Sequence, residues 1–343
     1  MNKDYLFKEP VHTFRALSRK GNLRYIASER SGSLQAISRF SPPTKSIPKL
    51  FLKLLGSVDF RVPGVVETMG VSEEFLLKVS GLLDIAADRI GIYVGEPNDQ
   101  QKLVIIDVSG VSSKLVKVAV GKEADVTIKR EAAGRLLAMQ DEGWRTFGVS
   151  ACTALSVCGR SAVVMERVEG RQLTPKEFEL LFFENFNKPS AVSVEHIHPN
   201  FFNSNDSDSI SIGKWLDQSG QSNLPFIKGL VHECSRLDAL ELQSDLGVVH
   251  GDFAPWNIIR RAEVGSPSGG IALGAIDWEF TSANTPRIFD YAYAAWCFSE
   301  LLGRTSSRIE PHLWVQLVSL GALWKALREE VSVSSLQEKY ERK

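Results

Sequence analysis

Apolar residues recur along residues 86–166 with a spacing typical of strands, interrupted by one helical stretch. Three apolar runs separated by turn-forming residues predict an antiparallel meander, with strands at 90–94, 103–108 and 115–120. A helix is predicted over 124–139, and two further short strands are predicted at 154–157 and 162–165. The predicted order is therefore three strands, one helix and two strands.

Helical spacing dominates the chain after residue 166. Thr174 precedes Pro175 and Glu177, which is the pattern of a capped helix start. The polar, Asn- and Ser-rich residues 187–222 predict a loop with a short helical piece near 212–216, and the polar tail after Val331 is expected to fray. The four main helices are predicted at about 175–186, 225–242, 291–302 and 312–330.

Residues 1–85 are predicted to form a separate N-terminal extension, for which no motif indicates a role. Two strand-like stretches are followed by a Ser-Pro-Pro break and then by two helix-like patterns, at 23–27, 34–40, 47–55 and 73–83 respectively. The predicted domain organisation is an extension over 1–85, a strand-rich part over 86–166 and a helical part over 167–343.

The composition is that of a water-soluble globular protein, with 343 residues of which 43% are hydrophobic and 24% are charged. A net charge of −1 provides no basic field for nucleic acid, and no apolar run approaches the ~18 residues of a membrane span. The chain begins without the apolar core of a signal peptide, so a cytoplasmic protein is expected. Four cysteines without a Cys-x-x-Cys pair are expected to stay reduced.

Two short segments of the helical part carry the candidate chemistry. Residues 250–257 read His-Gly-Asp-Phe-Ala-Pro-Trp-Asn, and residues 275–279 read Ala-Ile-Asp-Trp-Glu. Apolar runs flank a Gly-, Ser- and Pro-rich stretch between these segments, which predicts a hairpin that returns Asp277 to the side of Asn257. Amide and carboxylate oxygens suit Mg²⁺, so Asn257 and Asp277 are predicted to hold magnesium against ATP phosphates.

Asp252 is the predicted catalytic base, because a positioned carboxylate can orient a hydroxyl and take its proton during phosphoryl transfer. The alternative for Asp252 is a hydrogen bond to the backbone of its own loop. His250 is interpreted as a brace for the following backbone or for the loop of Asp277. Asp290 is interpreted as the cap of a helix that begins at Tyr291. The His196 and His198 pair has no visible third metal ligand.

Lys117 lies within the third predicted strand, between apolar neighbours, where an unpaired charge would be costly. Glu131 on the following helix is its natural partner, and such a pair could be aimed at phosphates. The alternative is a solvent-facing Lys on an edge strand. Residues 165–168 follow the fifth strand, where exposed backbone groups of Glu166 and Val168 could pair with an adenine edge.

In these residues the chain resembles the aminoglycoside phosphotransferase and choline kinase family of kinase-fold small-molecule kinases. The segment His250 to Asn257 looks like the family's catalytic loop, and Ala275 to Glu279 looks like its metal-binding segment. Val163 to Arg167 with Gly170 resembles its lobe linker, and Lys117 with Glu131 fits its nucleotide-anchoring pair.

The resemblance implies an α+β, bilobal protein-kinase-like fold, with an antiparallel-sheet N-lobe over 86–166 and a mostly helical C-lobe over 167–343. It implies ATP and Mg²⁺ as cofactors, and transfer of the γ-phosphate to a hydroxyl of a small molecule such as a sugar, an aminoglycoside-like compound or an amino alcohol. Residues 167–343 carry 17 Lys and Arg against 23 Asp and Glu, which favours a cationic or neutral acceptor.

Two alternatives stay open. The first hairpin, Gly95 to Gln101, is acidic and has one glycine, so it lacks the form of a phosphate-cradling loop and leaves room for a non-catalytic kinase-like binding or regulatory protein. A protein kinase is disfavoured, because Ala254 stands where protein kinases carry a Lys and no Ala-Pro-Glu follows. No motif fixes the acceptor or the oligomeric state.

Overall fold

The described residues of the chain form two compact units. One contains Met1–Ala132 and Ser150–Arg167, and the other contains Ala133–Val149 and Val168–Lys343. The predicted domain limits at residues 85 and 166 stay a prediction. A computed structural model describes residues 10–19, 22–27, 66–95, 97–121, 123–145, 147–183, 210–220, 225–236, 238–261 and 272–341.

The first unit is built on an eight-stranded antiparallel sheet with the strand order β3-β1-β2-β4-β5-β6-β8-β7. The pairing registers place Tyr93 opposite Val104 and Lys117 opposite both Val104 and Val163, so β6 is an inner strand. The strands are β1 (Pro10–Arg19), β2 (Asn22–Ala27), β3 (Val66–Ser72), β4 (Ile90–Val94), β5 (Lys102–Asp107), β6 (Lys114–Ala119), β7 (Cys152–Val157) and β8 (Arg160–Glu166).

The two faces of this sheet are covered by two helices, α1 (Glu73–Leu83) and α2 (Ala124–Gln140). Alternate residues of a strand point to opposite faces, which explains the two separate cores. Val116 and Val118 join the core that contains the buried face of α1. Leu115 and Ala119 join the core that contains the N-terminal half of α2, and Lys117 shares their face.

Sequence patterns located the elements of residues 73–166 to within about two residues, with the helix at 73–83 reproduced as α1. Strands β1 and β3 were not predicted, and they hydrogen-bond to each other along their length. The predicted strand at 34–40 and the predicted helix at 47–55 lie outside the residues that the structure describes.

The second unit is mostly helical. Its helices after α2 are α3 (Glu142–Arg145), α4 (Pro175–Phe178), α5 (Ile212–Gln218), α6 (Pro225–Arg236), α7 (Ile288–Trp296) and α8 (Pro311–Glu341). Its short strands are β9 (Arg171–Gln172), β10 (Ile210–Ser211), β11 (Gln243–Ser244), β12 (Leu246–Val249), β13 (Ile258–Arg260), β14 (Leu273–Ala275) and β15 (Ser282–Pro286). The predicted class, α+β with an antiparallel sheet before a mostly helical part, is confirmed.

Helix boundaries in this unit differ from the predicted ones. Thr174 caps α4 through a capping box with Glu177, as predicted, and π-helical turns follow both α4 and α7. Helix α6 ends at Arg236 rather than near 242, and α8 continues to Glu341 rather than fraying after 331. None of the helices described is long and apolar enough to cross a membrane.

An aromatic cluster fills the core beneath β12 and the segment that follows it. Trp144 meets the rings of Phe253 and Trp278 edge-on, with centroid separations of 5.8 and 5.0 Å. Edge-to-face contacts of this kind stabilise aromatic pairs beyond the burial of their area. The indole N–H of Trp144 also donates to the Val248 carbonyl at 2.8 Å, which fixes the end of β12 against the core.

Candidate active site

The loop that follows β12 is held by a carboxylate from a different part of the chain. The backbone N–H groups of His250 and Gly251 donate to the two carboxylate oxygens of Asp290 at 2.8 and 2.9 Å. The interpretation of Asp290 as a helix cap is wrong, because α7 begins at Ile288 and its N-cap position is Arg287. Complete burial raises the pKa of Asp290 to about 7, although both bonded N–H groups favour its charged form.

Gly251 is required by the backbone at the start of the loop. Its φ is +79°, and a Cβ there would lie 2.1 Å from the carbonyl oxygen of Phe280. An L-residue is unfavourable on both grounds. The Gly251 carbonyl accepts hydrogen bonds from the Trp324 indole at 3.0 Å and from Arg328 Nη1 at 2.8 Å, so α8 holds the loop from its other side.

His250 braces the loop in the manner expected from the sequence. Its Nε2 lies 2.8 Å from the Ile276 carbonyl, which can only accept, and its Nδ1 accepts the backbone N–H of Asp252 at 3.2 Å. These partners define a neutral ring protonated at Nε2. Burial, which outweighs the nearby carboxylates of Asp252 and Asp277, lowers the pKa of His250 to about 4. A ring that stays neutral at pH 7 and donates to a carbonyl is a brace rather than a base.

The Asp252 carboxylate is held by one donor on each oxygen. Arg328 Nη1 lies 2.8 Å from Oδ1, and the side-chain Nδ2 of Asn257 lies 2.9 Å from Oδ2. The side chain retains 19% exposure, so the carboxylate is fixed in direction yet reachable. Among the described residues no backbone N–H of its own loop donates to this carboxylate, and the Asp252 backbone carbonyl accepts from Asn257 Nδ2 at 2.9 Å.

Arg328 on α8 is a site residue that the sequence interpretation missed. Its guanidinium stacks on the rings of Phe280 and Tyr293, with its central carbon 4.3 and 4.2 Å from the two centroids. Its Nη2 donates to the Tyr293 hydroxyl at 2.7 Å. Arg328 and Asp252, which form the ion pair, are 76 residues apart in sequence. The one available signal was the i, i+4 spacing of Trp324 and Arg328, which places both on one face of a helix.

Asn257 and Asp277 lie next to the facing ends of two paired strands, as the sequence predicts, whereas residues 262–271 of the predicted hairpin tip lie outside the described residues. Strands β13 and β14 pair with Ile258 opposite Ala275, and the Ile276 N–H donates to the Asn257 carbonyl at 3.0 Å. Asp277 adopts a left-handed backbone conformation with φ of +68°, directly before a helical turn. The Asn257 amide nitrogen is committed to Asp252, which leaves its amide oxygen as the atom that can bind a cation.

Lys117 and Glu131 form a buried ion pair within the first unit. Lys117 Nζ lies 2.6 and 2.8 Å from the two carboxylate oxygens of Glu131, with the two residues 8% and 0% exposed. The alternative of a solvent-facing Lys on an edge strand is therefore wrong. The role of this pair at phosphates stays a prediction.

Glu166 is the last residue of β8, and its carbonyl accepts the Ser150 hydroxyl at 3.0 Å. Val168 packs its side chain against Gly274, where a Cβ would lie 2.4 Å from Val168 Cγ1. The structure thus brings together Asp252, Asn257 and the Asp277 segment in the second unit, and Lys117 with Glu131 in the first. His196 and His198 lie outside the described residues.

The arrangement in the second unit, a braced His-Gly-Asp loop beside an amide and a second carboxylate, defines a class of enzyme that transfers phosphoryl groups. The family model described as "Phosphotransferase enzyme family" matches residues 99–308. The chain belongs to this family, and the prediction of a phosphotransferase is confirmed. No protein in the set with curated functions matches the chain.

Several solved structures are similar to the chain. The ethanolamine kinase of Plasmodium vivax is 14% identical, with a TM-score of 0.38, over 69% of this chain and 74% of that one. A choline/ethanolamine kinase family protein from Mesorhizobium loti is 15% identical, with a TM-score of 0.34, over 71% and 80%. A spectinomycin phosphotransferase in complex with ADP and spectinomycin is 13% identical, with a TM-score of 0.32, over 71% and 81%. None of these likenesses bears on the substrate of this chain.

Proposed function

We propose that this protein uses ATP and Mg²⁺ to move the γ-phosphate to a hydroxyl of a small molecule, with Asp252 as the base. One observation carries the proposal. The carboxylate of Asp252 is partly exposed, is fixed by a donor on each oxygen, and lies one hydrogen bond from the predicted metal ligand Asn257. Such a carboxylate can orient an incoming hydroxyl and accept its proton as the phosphoryl group is transferred.

The residues present fit a magnesium ion. Asn257 directs its amide nitrogen to Asp252 through two hydrogen bonds, and nothing in the described part of the chain donates to its amide oxygen. That oxygen and the Asp277 carboxylate form a hard, all-oxygen donor pair that leaves other positions for water and phosphate. Bound there, the ion would neutralise charge on the phosphates during transfer.

Nucleotide binding is assigned to two further groups. Lys117, held by Glu131, is proposed to anchor phosphates, since an ammonium fixed by a buried carboxylate has a defined direction. The backbone at Glu166 and Val168 is proposed to pair with the adenine edge. The N–H and carbonyl of Val168 make no hydrogen bond within the described ranges, which leaves both groups for a base.

The assay that tests the proposal supplies the full chain with ATP, MgCl₂ and a panel of hydroxylated small molecules, and follows ADP release and phosphorylated product. Asp252→Asn keeps the size of the side chain but removes its basicity, so we expect turnover to fall about 10²- to 10⁴-fold. Asp217→Asn, on the exposed side of α5, is the matched control and is expected to keep full turnover.

Wild-type turnover that survives Asp252→Asn unchanged would refute the role of Asp252. A non-catalytic binding protein would show no turnover on any acceptor, and without nucleotide binding it would gain no thermal stability from Mg–ATP. A protein kinase would incorporate phosphate into protein rather than into the small acceptors.

A further inference from the structure

We propose that Arg328 fixes the charge class of the acceptor, so that the site selects a hydroxylated small molecule carrying an anionic oxygen group over an analogue carrying an ammonium group. The inference rests on the proposed function of Asp252, because it assumes that the reacting hydroxyl lies against that carboxylate.

Arg328 is close to where the reacting hydroxyl must lie. Its Nη1 is 2.8 Å from Asp252 Oδ1. A hydroxyl bonded to that oxygen would lie about 2.8 Å beyond it, hence within about 6 Å of the guanidinium. Any charged substituent on a neighbouring atom of the acceptor would therefore interact with the cation of Arg328 in a partly buried setting, where screening is weak.

Arg328 also occupies the place that a cationic acceptor would need. Aromatic faces attract ammonium groups, and Phe280 and Tyr293 are two aromatic rings in contact with the arginine that holds Asp252. Both faces are already covered by the guanidinium, at 4.3 and 4.2 Å. The chain's own cation thus fills the aromatic position, and an ammonium group would meet a like charge there.

A second cation extends the same surface. Lys325 lies one helical turn before Arg328 on α8, with its Nζ 5.6 Å from the ring centroid of Trp296. Trp296 stacks on Tyr293 with a centroid separation of 5.7 Å, so the two cations and their rings are continuous. Lys325 therefore places a second positive charge over the ring that stacks on Tyr293, next to the ring that Arg328 covers.

The hydrogen bonds of Arg328 leave donors in excess. A guanidinium has five N–H donors, and the described contacts of Arg328 are two from Nη1 and one from Nη2. Its Nε is buried and has no partner among the described residues. In the proposed function the charge of Asp277 is matched by the metal, and Asp252 becomes neutral as it takes the proton of the acceptor. The cation of Arg328, 2.8 Å from Asp252 Oδ1, then loses the charge of its ion-pair partner during transfer, which favours an anionic substituent on the acceptor.

The test uses sugar quartets that differ only in charge, each consisting of a sugar, its sugar acid, its sugar phosphate and its amino sugar. Turnover is measured as kcat/KM, and binding is measured separately as thermal stabilisation of the full chain by each compound. We expect the acid or the phosphate member to exceed the amino member about tenfold or more in the wild type. The acid and phosphate arms distinguish which anion is used.

Two variants and a control sharpen the test. Arg328→Gln is expected to bring the members of a quartet within about threefold of each other, whereas Arg328→Lys keeps the charge and is expected to keep the order. Lys214→Gln, at an exposed position of α5, is expected to leave the order unchanged. If Arg328→Gln does not fold, the order of kcat/KM among the quartet members in the wild type still tests the inference.

An amino sugar that equals or exceeds its acid and phosphate counterparts in the wild type would overturn the inference. So would a folded Arg328→Gln variant with the wild-type order, or a wild type that no acid or phosphate member stabilises. Failure of the proposed function is recognised differently, as binding in the expected order with no turnover on any member.

Discussion

The neutral, buried ring of His250 predicts that the folded protein becomes less stable in acid. The pKa of His250 is lowered from 6.5 to about 4 by burial. Between these two pKa values the unfolded chain binds a proton that the folded chain does not, so the free energy of unfolding falls as the pH falls. This stability is fully present above pH 6.5. It is lost progressively toward pH 4, and between pH 7 and pH 4.5 the loss amounts to about 2 kcal/mol.

The perturbation is His250→Gln, which cannot titrate. At pH 7 the variant loses the imidazole ring, whose centroid lies 4.5 Å from that of Trp278, and it weakens the hydrogen bonds to Ile276 and Asp252. We expect the free energy of unfolding to fall by about 3 kcal/mol. At pH 4.5 the wild type has lost about 2 kcal/mol of its own, so the gap between the two proteins should shrink to about 1 kcal/mol.

Urea unfolding of both proteins at pH 7 and pH 4.5, followed by far-UV circular dichroism, measures the gap directly. Taking the difference between wild type and variant removes the contributions of other titrating groups, including Asp290, whose raised pKa gives the opposite slope. His232→Gln, at an exposed position of α6, is the matched control and should change the free energy of unfolding by less than about 0.5 kcal/mol, as surface substitutions usually do. A gap for His250→Gln that stays constant or widens in acid would refute the neutral, buried brace.

Two further substitutions test the scaffold of the site by the same unfolding measurement. Gly251→Ala is expected to cost about 3 kcal/mol, from its left-handed backbone and from a Cβ 2.1 Å from the Phe280 carbonyl, whereas Gly220→Ala, with φ of +73° but open space, should cost only about 1 kcal/mol. Equal losses of unfolding free energy in the two alanine variants would contradict the close approach of Gly251 to the Phe280 carbonyl. Lys117→Met is expected to cost about 3 kcal/mol or more, because Glu131 is fully buried and loses the ammonium that it contacts. Adding Glu131→Gln should restore part of that loss, and a stable Lys117→Met single variant would contradict the buried pair.

The proximity of Asp252, Asn257 and the Asp277 segment was predictable because local geometry determines it. The segment from His250 to Asn257 is one loop, and the Asp277 segment is its neighbour across the antiparallel pair of strands β13 and β14. A hairpin needs no knowledge of the rest of the fold, so spacing alone brought Asn257 and Asp277 together. The Lys117 and Glu131 pair followed from the same kind of argument, since a Lys in an apolar strand requires a partner and the next helix supplies it.

The residues that support the loop could not be found in this way. Asp290 and Arg328 are 39 and 76 positions from the loop residues that they contact, and no periodicity links them. Asp290 was misassigned because the start of α7 was placed three residues late, which made a first-turn carboxylate look like a cap. Strands β1 and β3 were not predicted. In β1, polar residues and a proline separate the apolar residues Val11, Phe14, Ala16 and Leu17, and the strand is stabilised by pairing with its neighbours rather than by its own pattern.

The charge of the acceptor shows how composition and structure can lead to opposite expectations. The acidic excess of residues 167–343 favours a cationic or neutral acceptor, but that excess is an average over a surface. Charges separated by more than about 8–10 Å are largely screened at physiological ionic strength, so an average over many side chains has little influence at one carboxylate. Arg328 is 2.8 Å from Asp252 and only 9% exposed at its side chain, so it would lie within about 6 Å of the reacting hydroxyl in a partly buried setting where screening is weak. The nearest fixed cation should therefore outweigh the distributed anionic charge, and the quartet of charge-matched acceptors measures which of the two decides.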